Sequence, residues 1–247
     1  MATYDFAAPR LFVDAALAEG ADIALDSAQG NYLRNVLRLG AGDTVLAFNG
    51  RDGEWRARIA APDRRRAALA IGERLRPQTP PGDLWYLFAP LKHARLDYMV
   101  QKAVEMGASR LVPVLTRRTQ VSRVNLERMR ANAIEAAEQC GILSLPDIVA
   151  PAPLEQVVRA WPEGRRLVFC DEGAPVGDAM AVLRALSGQP TAVLIGPEGG
   201  FDPAERVLLG ALPGTVAISL GPRVLRADTA AVAALALVQA ACGDWTG

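Results

Sequence analysis

The sequence predicts an α/β protein in which a small β-rich domain precedes a larger domain built on a parallel sheet. Three prolines and a glycine within residues 77–82 can continue neither a helix nor a central strand, so this segment predicts an interdomain linker. Short runs with strand-like alternation come before it. Continuous apolar runs that alternate with helical patterns come after it, as a parallel sheet covered on both faces requires. The 247 residues are enough for two buried cores.

Before the linker, short strands separated by turn signals indicate a small β-barrel. Residues 54–59 alternate polar and apolar side chains, which is typical of a half-buried strand. Residues 27–39 keep apolar side chains at helical spacing and predict one short helix. Arg64, Arg65 and Arg66 are by default a solvated turn rather than an RNA contact. The strands of this domain are expected at residues 44–48, 54–59 and 67–71.

After the linker, strands and helices are expected to alternate. Residues 192–195 are an uninterrupted apolar run, which is typical of a buried parallel strand. Gly107 is a C-terminal stop signal for the helix that precedes it. The predicted strands are residues 84–88, 111–115, 166–170, 191–195 and 216–220. The predicted helices are residues 95–106, 126–140, 177–186, 203–210 and 229–242.

The distribution of charge is more informative than its sum. The formal net charge is zero, but residues 85–130 hold nine Lys or Arg against three acids, so this segment can track a phosphate backbone locally. Three widely spaced cysteines suggest neither a disulfide framework nor a metal site. Because we find no basic leader followed by an apolar run and no membrane-length segment, we expect a cytoplasmic protein with no metal and no membrane partner.

A glycine-rich loop follows the strand predicted at residues 191–195. It reads Ile195-Gly-Pro-Glu-Gly-Gly-Phe201 and leads into Asp202-Pro203, an N-cap followed by proline in the first helical turn. The glycines let a ligand approach the backbone, but their spacing fits neither a dinucleotide-binding motif nor a P-loop. Glu198 would repel a polyphosphate, whereas a phosphate-free cation such as S-adenosylmethionine would tolerate it. A strand-to-helix turn without any ligand explains this loop about as well.

A second loop follows the strand predicted at residues 216–220 and leads into the last helix. Asp228 or Thr229 can cap that helix, whereas Arg223 and Arg226 are candidates for contacting an anion. Both loops follow the carboxyl ends of predicted strands, where open α/β sheets build their ligand crevices. The sequence therefore predicts that the two loops serve one site.

Taken in order and spacing, these motifs resemble a known family. The chain is similar, over nearly its whole length, to the small-subunit ribosomal RNA uridine N3-methyltransferases of the SPOUT superfamily, the RsmE type. Two positions depart from the family pattern: Gly141-Ile142 stand where the family usually has an Arg, and Asp228 stands where it usually has Glu. The matching segments are residues 31–39, 48–50, 91–107, 116–120, 135–140, 195–201 and 220–230.

The resemblance implies an architecture and an activity. Residues 1–76 would form a PUA-like β-barrel that binds RNA, residues 77–83 a linker, and residues 84–247 a SPOUT methyltransferase domain whose C-terminal segment is threaded into a trefoil knot. The protein would be a cytoplasmic homodimer that binds S-adenosylmethionine, releases S-adenosylhomocysteine and uses no metal. Its substrate would be N3 of a specific uridine in 16S ribosomal RNA of the small subunit.

The resemblance also assigns roles to individual residues. Arg226 would face the reacting base. Lys92, Arg95 and Lys102 would serve the RNA or the dimer contact, and Arg117, Arg118 and Arg223 would contact RNA. The donor would be held, mostly through backbone groups, by Ile195, Gly196, Glu198, Gly199, Gly200, Leu220, Gly221, Val224 and Leu225.

The chemistry of the implied reaction suggests which groups are catalytic. N3 of uridine lies on the pairing edge of the base and carries a proton that must leave as the methyl group arrives. Arg226 suits the stabilisation of the uridine anion, because a guanidinium stays protonated and a fixed charge in a dry site acts strongly. The proton acceptor would be water, Glu198 or Asp228.

Other functions remain open from the sequence. A SPOUT methyltransferase that acts on transfer RNA or 23S ribosomal RNA would carry the same loops. A non-catalytic RNA-binding factor would keep the barrel and would have lost donor binding. An unrelated nucleotide-binding enzyme is disfavoured, because the sequence has no phosphate-cradling motif.

Overall fold

A computed structural model describes residues 8–60, 67–121 and 123–246. The first seven residues and the predicted turn at Arg64, Arg65 and Arg66 lie outside the described residues. Contacts within the chain divide it into two compact units. Unit 1 comprises Met1–Pro80 and Ile134–Leu145, and unit 2 comprises Pro81–Ala133 and Pro146–Gly247.

Unit 1 is built on a five-stranded sheet in the order β1-β3-β4-β5-β2. β1 runs parallel to β3, and the other neighbours are antiparallel. β1 and β2 are edge strands among the described residues, so the sheet is a curled half-barrel rather than a closed barrel. The strands are β1 (Arg10–Phe12), β2 (Asp22–Ala24), β3 (Thr44–Phe48), β4 (Glu54–Ala60) and β5 (Ala68–Arg76).

The helix predicted at residues 27–39 is present in a modified form. It begins as α1 (Ser27–Asn31) and continues as a π-helical turn at Tyr32–Val36. Asp26 caps α1, and its side chain accepts a hydrogen bond from the Gln29 N–H at 2.7 Å. The apolar face then places Leu33 in the core of the sheet, so the predicted amphipathic pattern is confirmed.

Unit 2 is built on a parallel sheet in the order β12-β10-β11-β6-β7-β8, with β9 paired to β7. All five residues of β11 are buried, as the uninterrupted apolar run predicted. The strands are β6 (Leu84–Phe88), β7 (Arg110–Leu115), β8 (Asp147–Ile148), β9 (Ala152–Pro153), β10 (Arg166–Cys170), β11 (Thr191–Ile195) and β12 (Thr215–Ile218). The predicted α/β class is confirmed.

Helices connect these strands. Gly107 has a φ of +78° just after α2, so the predicted stop signal is confirmed. None of the described helices combines the length and apolar character needed to cross a bilayer. The threading of the C-terminal segment through a knot stays a prediction. The helices are α2 (His93–Glu105), α3 (Leu126–Cys140), α4 (Leu154–Arg159), α5 (Ala179–Arg184), α6 (Pro203–Ala211) and α7 (Ala227–Cys242), followed by a short 3₁₀ turn at Asp244–Thr246.

Candidate active site

Three loops meet at the carboxyl edge of the unit 2 sheet. β10 lies between β12 and β11, and the three strands are parallel, so their carboxyl ends share one edge. Residues 171–173, 196–202 and 219–226 follow these strands. Together they enclose a cavity of about 320 Å³, a volume in the range of small-molecule sites.

Both predicted donor-binding loops contribute to this cavity. Arg223 and Arg226 line it as well. Gly199 lies outside the lining, and its carbonyl accepts a hydrogen bond from Nη1 of Arg118 at 2.7 Å. The roles of these residues stay predictions. The predicted donor-binding residues that line the cavity are Ile195, Gly196, Glu198, Gly200, Leu220, Gly221, Val224 and Leu225.

The first loop is held in shape by its glycines and by a buried ring. Gly200 has a φ of +68°, which glycine adopts without strain, and its N–H donates to the Pro197 carbonyl at 2.9 Å. A side chain at Gly196 would overlap the ring of Phe201. That ring is buried and packs edge-on against Phe169, with ring centroids 4.9 Å apart. Because this packing leaves no room for a side chain at Gly196, the loop depends on glycine there.

One buried carboxylate joins the first loop to the loop after β7. Glu205, in the first turn of α6, is 2% exposed. Its Oε2 accepts a hydrogen bond from the Asp202 N–H at 2.9 Å, which completes a capping box. Its Oε1 accepts from the Arg117 N–H at 2.8 Å. Glu205 therefore fixes Asp202 and Arg117 relative to each other.

The second loop ends at the N-terminus of α7. Gly221 has a φ of +106°, and Arg226 is the N-cap residue with an extended backbone. The exposed Arg226 side chain borders the cavity beside the positive end of the helix dipole. Asp228 lies in the first turn, where its Oδ1 accepts from the Thr229 N–H at 2.9 Å, and it is not among the residues that line the cavity. The Arg226 guanidinium and the N-terminus of α7 together make this part of the cavity rim electropositive.

Glu198 forms an ion pair with Arg95 of α2, and the two side chains are 47% and 42% exposed. Lys92 and Arg118 border a shallow recess together with Glu198. Arg117 also belongs to this neighbourhood, because its Nη1 donates to Asp202 Oδ1 at 3.0 Å. The structure thus gathers four predicted RNA-binding residues beside the first loop.

Lys102 lies elsewhere on α2. Its Nζ donates to Glu105 Oε1 at 2.6 Å, and it stands 5.6 Å from the centroid of the Tyr98 ring. Seven residues separate it from Arg95, which corresponds to a rise of about 10 Å along a helix. Its assigned contact with RNA or a second subunit stays a prediction.

The sequence analysis missed two charged residues that follow β10 and one on α6. Asp171, Glu172 and Arg206 line the cavity, and Nη2 of Arg206 lies 3.1 Å from Asp171 Oδ1 and 3.4 Å from Glu172 Oε1. Cys170 also lines it, but burial raises the pKa of its thiol to about 12, so the thiol stays protonated. No sequence signal marks these residues, because only the order of the strands in the sheet shows that β10 separates the two strands whose loops were identified.

The described part of the chain contains no cluster of three or more His, Cys, Asp or Glu side chains that could hold a metal ion. The cavity instead combines apolar walls, such as Ile195, Phe201 and Leu225, with carboxylates and guanidinium groups near its mouth. Such a lining suits an organic ligand with both an apolar ring and charged groups.

Comparison with protein families assigns this arrangement to a known group. A model described as an RNA methyltransferase domain matches residues 78–239. The chain belongs to the RNA methyltransferase family. A second model, described as an RNA methyltransferase PUA domain, matches residues 25–71, so the PUA-like character predicted for the N-terminal sheet of this RNA methyltransferase is confirmed.

This RNA methyltransferase has relatives that are similar over most of their length. The ribosomal RNA small subunit methyltransferase E of Rickettsia conorii is 31% identical over 232 residues, which are 93% of this chain and 94% of the relative. The protein of the same name from Synechocystis sp. is 33% identical over 226 residues, which are 89% of this chain and 73% of the relative.

Two solved structures have a similar fold over nearly the whole chain. The ribosomal RNA small subunit methyltransferase E of Neisseria gonorrhoeae bound to S-adenosyl methionine has a TM-score of 0.83 at 27% identity, covering 96% of this chain and 99% of that chain. A putative methyltransferase of Legionella pneumophila in complex with the bound cofactor SAM has a TM-score of 0.80 at 28% identity, covering 95% of this chain and 98% of that chain.

Proposed function

We propose that this chain transfers a methyl group from S-adenosylmethionine to N3 of a specific uridine in 16S ribosomal RNA of the small subunit. The observation that carries the proposal is the single cavity lined by both glycine-bearing loops. Relatives named ribosomal RNA small subunit methyltransferase E support the substrate, and two related structures bound to the donor support the cofactor. The choice of uridine N3 rests on the motif resemblance.

The residues around the cavity suit S-adenosylmethionine. Ile195, Ile218 and Leu225 offer an apolar wall for the adenine ring. A side chain at Gly221 would meet no protein atom within 4 Å, so the backbone there is open to a ligand. Carboxylates such as Glu198 favour a cationic donor over a polyphosphate. When bound, the donor supplies an electrophilic methyl group on its sulfonium.

Arg226 is the proposed anion-stabilising residue. Its guanidinium cannot lose its proton at neutral pH, and it borders the cavity at the positive end of α7. A uridine that gives up its N3 proton carries negative charge on the base. Arg226 would lower the energy of that charge most strongly as it develops in the transition state.

Glu198 is the carboxylate that we favour as proton acceptor. It lines the cavity, and its ion pair with Arg95 restrains the side chain. Asp228 remains the alternative, although it lies outside the cavity lining. An acceptor must come within hydrogen-bond reach of N3, directly or through one water molecule, and Glu198 meets this requirement more easily.

The RNA would be bound by basic residues beside the first loop and by the N-terminal domain. Lys92, Arg95, Arg117 and Arg118 are proposed to contact phosphates, as is Arg223 at the cavity. Phosphate contacts position an RNA without reading its sequence. We assign RNA binding also to residues 1–76 and, less directly, to Lys102 on α2.

We further propose a cytoplasmic homodimer with a knotted C-terminal segment in residues 84–247. α7 is apolar nearly all round, and its residues Val232, Ala233 and Leu237 are only partly buried in the single chain. An apolar helix that its own chain leaves partly uncovered is typical of a subunit interface. Light scattering of the purified protein would measure its oligomeric state.

The central test is methyl transfer from tritiated S-adenosylmethionine. The purified chain would be incubated with small subunits, free 16S ribosomal RNA, large subunits or transfer RNA. We expect label in the small subunit or its RNA, and N3-methyluridine on mass spectrometry of the nucleosides. Label confined to transfer RNA or 23S ribosomal RNA would refute the proposed substrate. A calorimetric titration that shows no binding of S-adenosylmethionine would refute the proposed methyltransferase activity.

A further inference from the structure

We propose that Glu172, held in place by Arg206, is a donor-binding residue that accepts hydrogen bonds from S-adenosylmethionine. The inference rests on the proposed function, because it concerns the same cavity. It adds a third loop, residues 171–173, to the two that the sequence motifs identified. This loop follows the strand that lies between their strands in the sheet.

Glu172 lies against the first loop, at Gly200. Its side chain is 52% exposed and lines the cavity. A Cβ on Gly200 would overlap Oε1 of Glu172, so the Glu172 carboxylate lies directly against the backbone of the first loop. The φ of +68° at Gly200 is a conformation that favours glycine, which leaves this backbone open to the carboxylate.

Arg206 holds the carboxylate at this position. Its Nη2 lies 3.4 Å from Glu172 Oε1 and 3.1 Å from Asp171 Oδ1. Asp171 is only 13% exposed, and its Oδ1 also accepts from the Gly173 N–H at 3.0 Å. One guanidinium is therefore shared between two carboxylates. The cluster keeps a net charge of −1 at the cavity.

The chemistry of this cluster matches the donor. A carboxylate only accepts hydrogen bonds, and Glu172 Oε2 has no partner among the described residues. S-adenosylmethionine offers an ammonium group, two ribose hydroxyls and the adenine amino group as hydrogen-bond donors, and it carries no phosphate. The same negative charge would repel a nucleotide with phosphates. Glu172 therefore explains both affinity for this donor and discrimination against nucleotides.

The test is calorimetric binding of S-adenosylmethionine to the intact protein, without any RNA. We expect Glu172→Gln to raise the Kd about 10-fold, because a hydrogen bond to a charged group is lost. Glu163→Gln makes the same chemical change at an exposed turn remote from the lining, and we expect it to leave the Kd unchanged. An unchanged Kd for Glu172→Gln would overturn this inference and leave the proposed function intact. If the wild type itself did not bind S-adenosylmethionine, the proposed function would be overturned.

A truncated ligand identifies the group that Glu172 holds. 5′-Methylthioadenosine keeps the adenine and the ribose but lacks the amino-acid end and the positive charge on sulfur. If Glu172 accepts from the nucleoside, at the ribose or the adenine amino group, Glu172→Gln weakens this ligand as well. If Glu172 accepts from the ammonium group, only S-adenosylmethionine is weakened. Either result supports the inference. It is contradicted if Glu172→Gln binds each ligand with the same Kd as the wild type.

A second variant tests whether Arg206 positions the Glu172 carboxylate. Arg206→Gln leaves Glu172 in the chain and removes the group that holds it. We expect a smaller increase in Kd than for Glu172→Gln, and a double variant no weaker than Glu172→Gln alone, because the two residues act as one unit. Additive effects would refute the positioning role of Arg206. Thermal unfolding of each variant checks that the fold is retained.

Discussion

Arg226 is the residue at which the proposed chemistry is most directly testable. We expect Arg226→Ala to lower the single-turnover methylation rate about 100-fold or more, because it removes a fixed charge that acts mainly on the transition state. The Kd for S-adenosylmethionine should change little. Arg159→Ala, which removes an exposed arginine from α4, is the matched control. An equal loss of donor affinity in Arg226→Ala would mean that the residue binds the donor instead.

Glu138 in unit 1 predicts a pH dependence of stability. It is half-buried on α3, and its Oε1 accepts from the Phe12 N–H at 2.9 Å. Burial, and secondarily the charge of Glu135, raises the pKa of Glu138 from 4.5 to about 7, against the opposing effect of the Phe12 hydrogen bond. Because the folded-state pKa is raised, the contribution of Glu138 to stability is complete below pH 4.5 and is lost as the pH rises through 7.

Glu138→Gln should therefore stabilise the protein at pH 8 and have little effect at pH 5. The neutral amide keeps an acceptor for Phe12 and removes the cost of a partly buried charge, which we place at about 2 kcal/mol. Urea unfolding at both pH values measures the difference. Glu127→Gln, at the exposed start of α3, is the control and should respond equally at both pH values. A stabilisation of Glu138→Gln that is the same at pH 5 and pH 8 would refute the assignment.

At the scale of secondary structure, the two capping boxes allow a matched comparison. Glu205 in α6 and Gln29 in α1 both stand at the third helical position and accept from the N-cap N–H. Glu205 is buried and also accepts from Arg117, whereas Gln29 is half-buried and its Nε2 donates to the Phe12 carbonyl at 2.9 Å. Glu205→Ala should therefore cost about 3 kcal/mol of unfolding free energy, and Gln29→Ala about 1 kcal/mol. Denaturant unfolding provides the measurement, and equal losses would show that the contact of the buried Glu205 carboxylate with Arg117 contributes no more than the contact of Gln29 with Phe12.

The elements that the sequence predicted are those with a clear period. β6, β10 and β11 were predicted with their observed bounds, because an uninterrupted apolar run between turn signals has few alternatives. β8 and β9 were missed, since two residues are too few to display any alternation. The π-helical turn at Tyr32–Val36 was also missed, because it buries the same apolar residues as an α-helix would.

The sequence predicted part of the candidate site, namely its two glycine-bearing loops. Loops with glycines at unusual spacing are visible in a sequence, and both line the cavity. Glu172 and Arg206 were not visible, because a charged residue after a strand carries no motif and their pairing joins residues 34 positions apart. Such a pair becomes recognisable only once the order of the strands in the sheet is known.

At the scale of the whole molecule, a net charge of zero does not prevent binding to RNA. Lys92, Arg95, Arg117 and Arg118 lie together beside the first loop, and charges act over about one Debye length of ~8 Å. We expect Lys92→Ala to weaken RNA binding and to reduce the slope of log K against log salt by about 1. Arg159→Ala should leave the slope unchanged, and an unaltered slope for Lys92→Ala would mean that Lys92 makes no phosphate contact.

The division of the chain into two units predicts which fragments can fold on their own. The proline-rich segment at residues 77–82 suggested that residues 1–76 fold as one domain, yet unit 1 also contains Ile134–Leu145. Within unit 1, Nη2 of Arg76 donates to the Gly141 carbonyl at 2.9 Å, and the Phe12 N–H donates to Glu138. A fragment of residues 1–80 loses both acceptors and the apolar side chains that accompany them.

We therefore expect the fragment of residues 1–80 to unfold without a cooperative transition. The matched comparison is a fusion in which residues 134–145 follow residue 80 through a flexible Gly/Ser linker, which restores the missing acceptors at modest entropic cost. Circular dichroism during heating should show a cooperative transition only for the fusion. Cooperative unfolding of the fragment and the fusion at the same temperature would mean that residues 134–145 add nothing to the stability of unit 1. The domain would then end at the proline-rich linker.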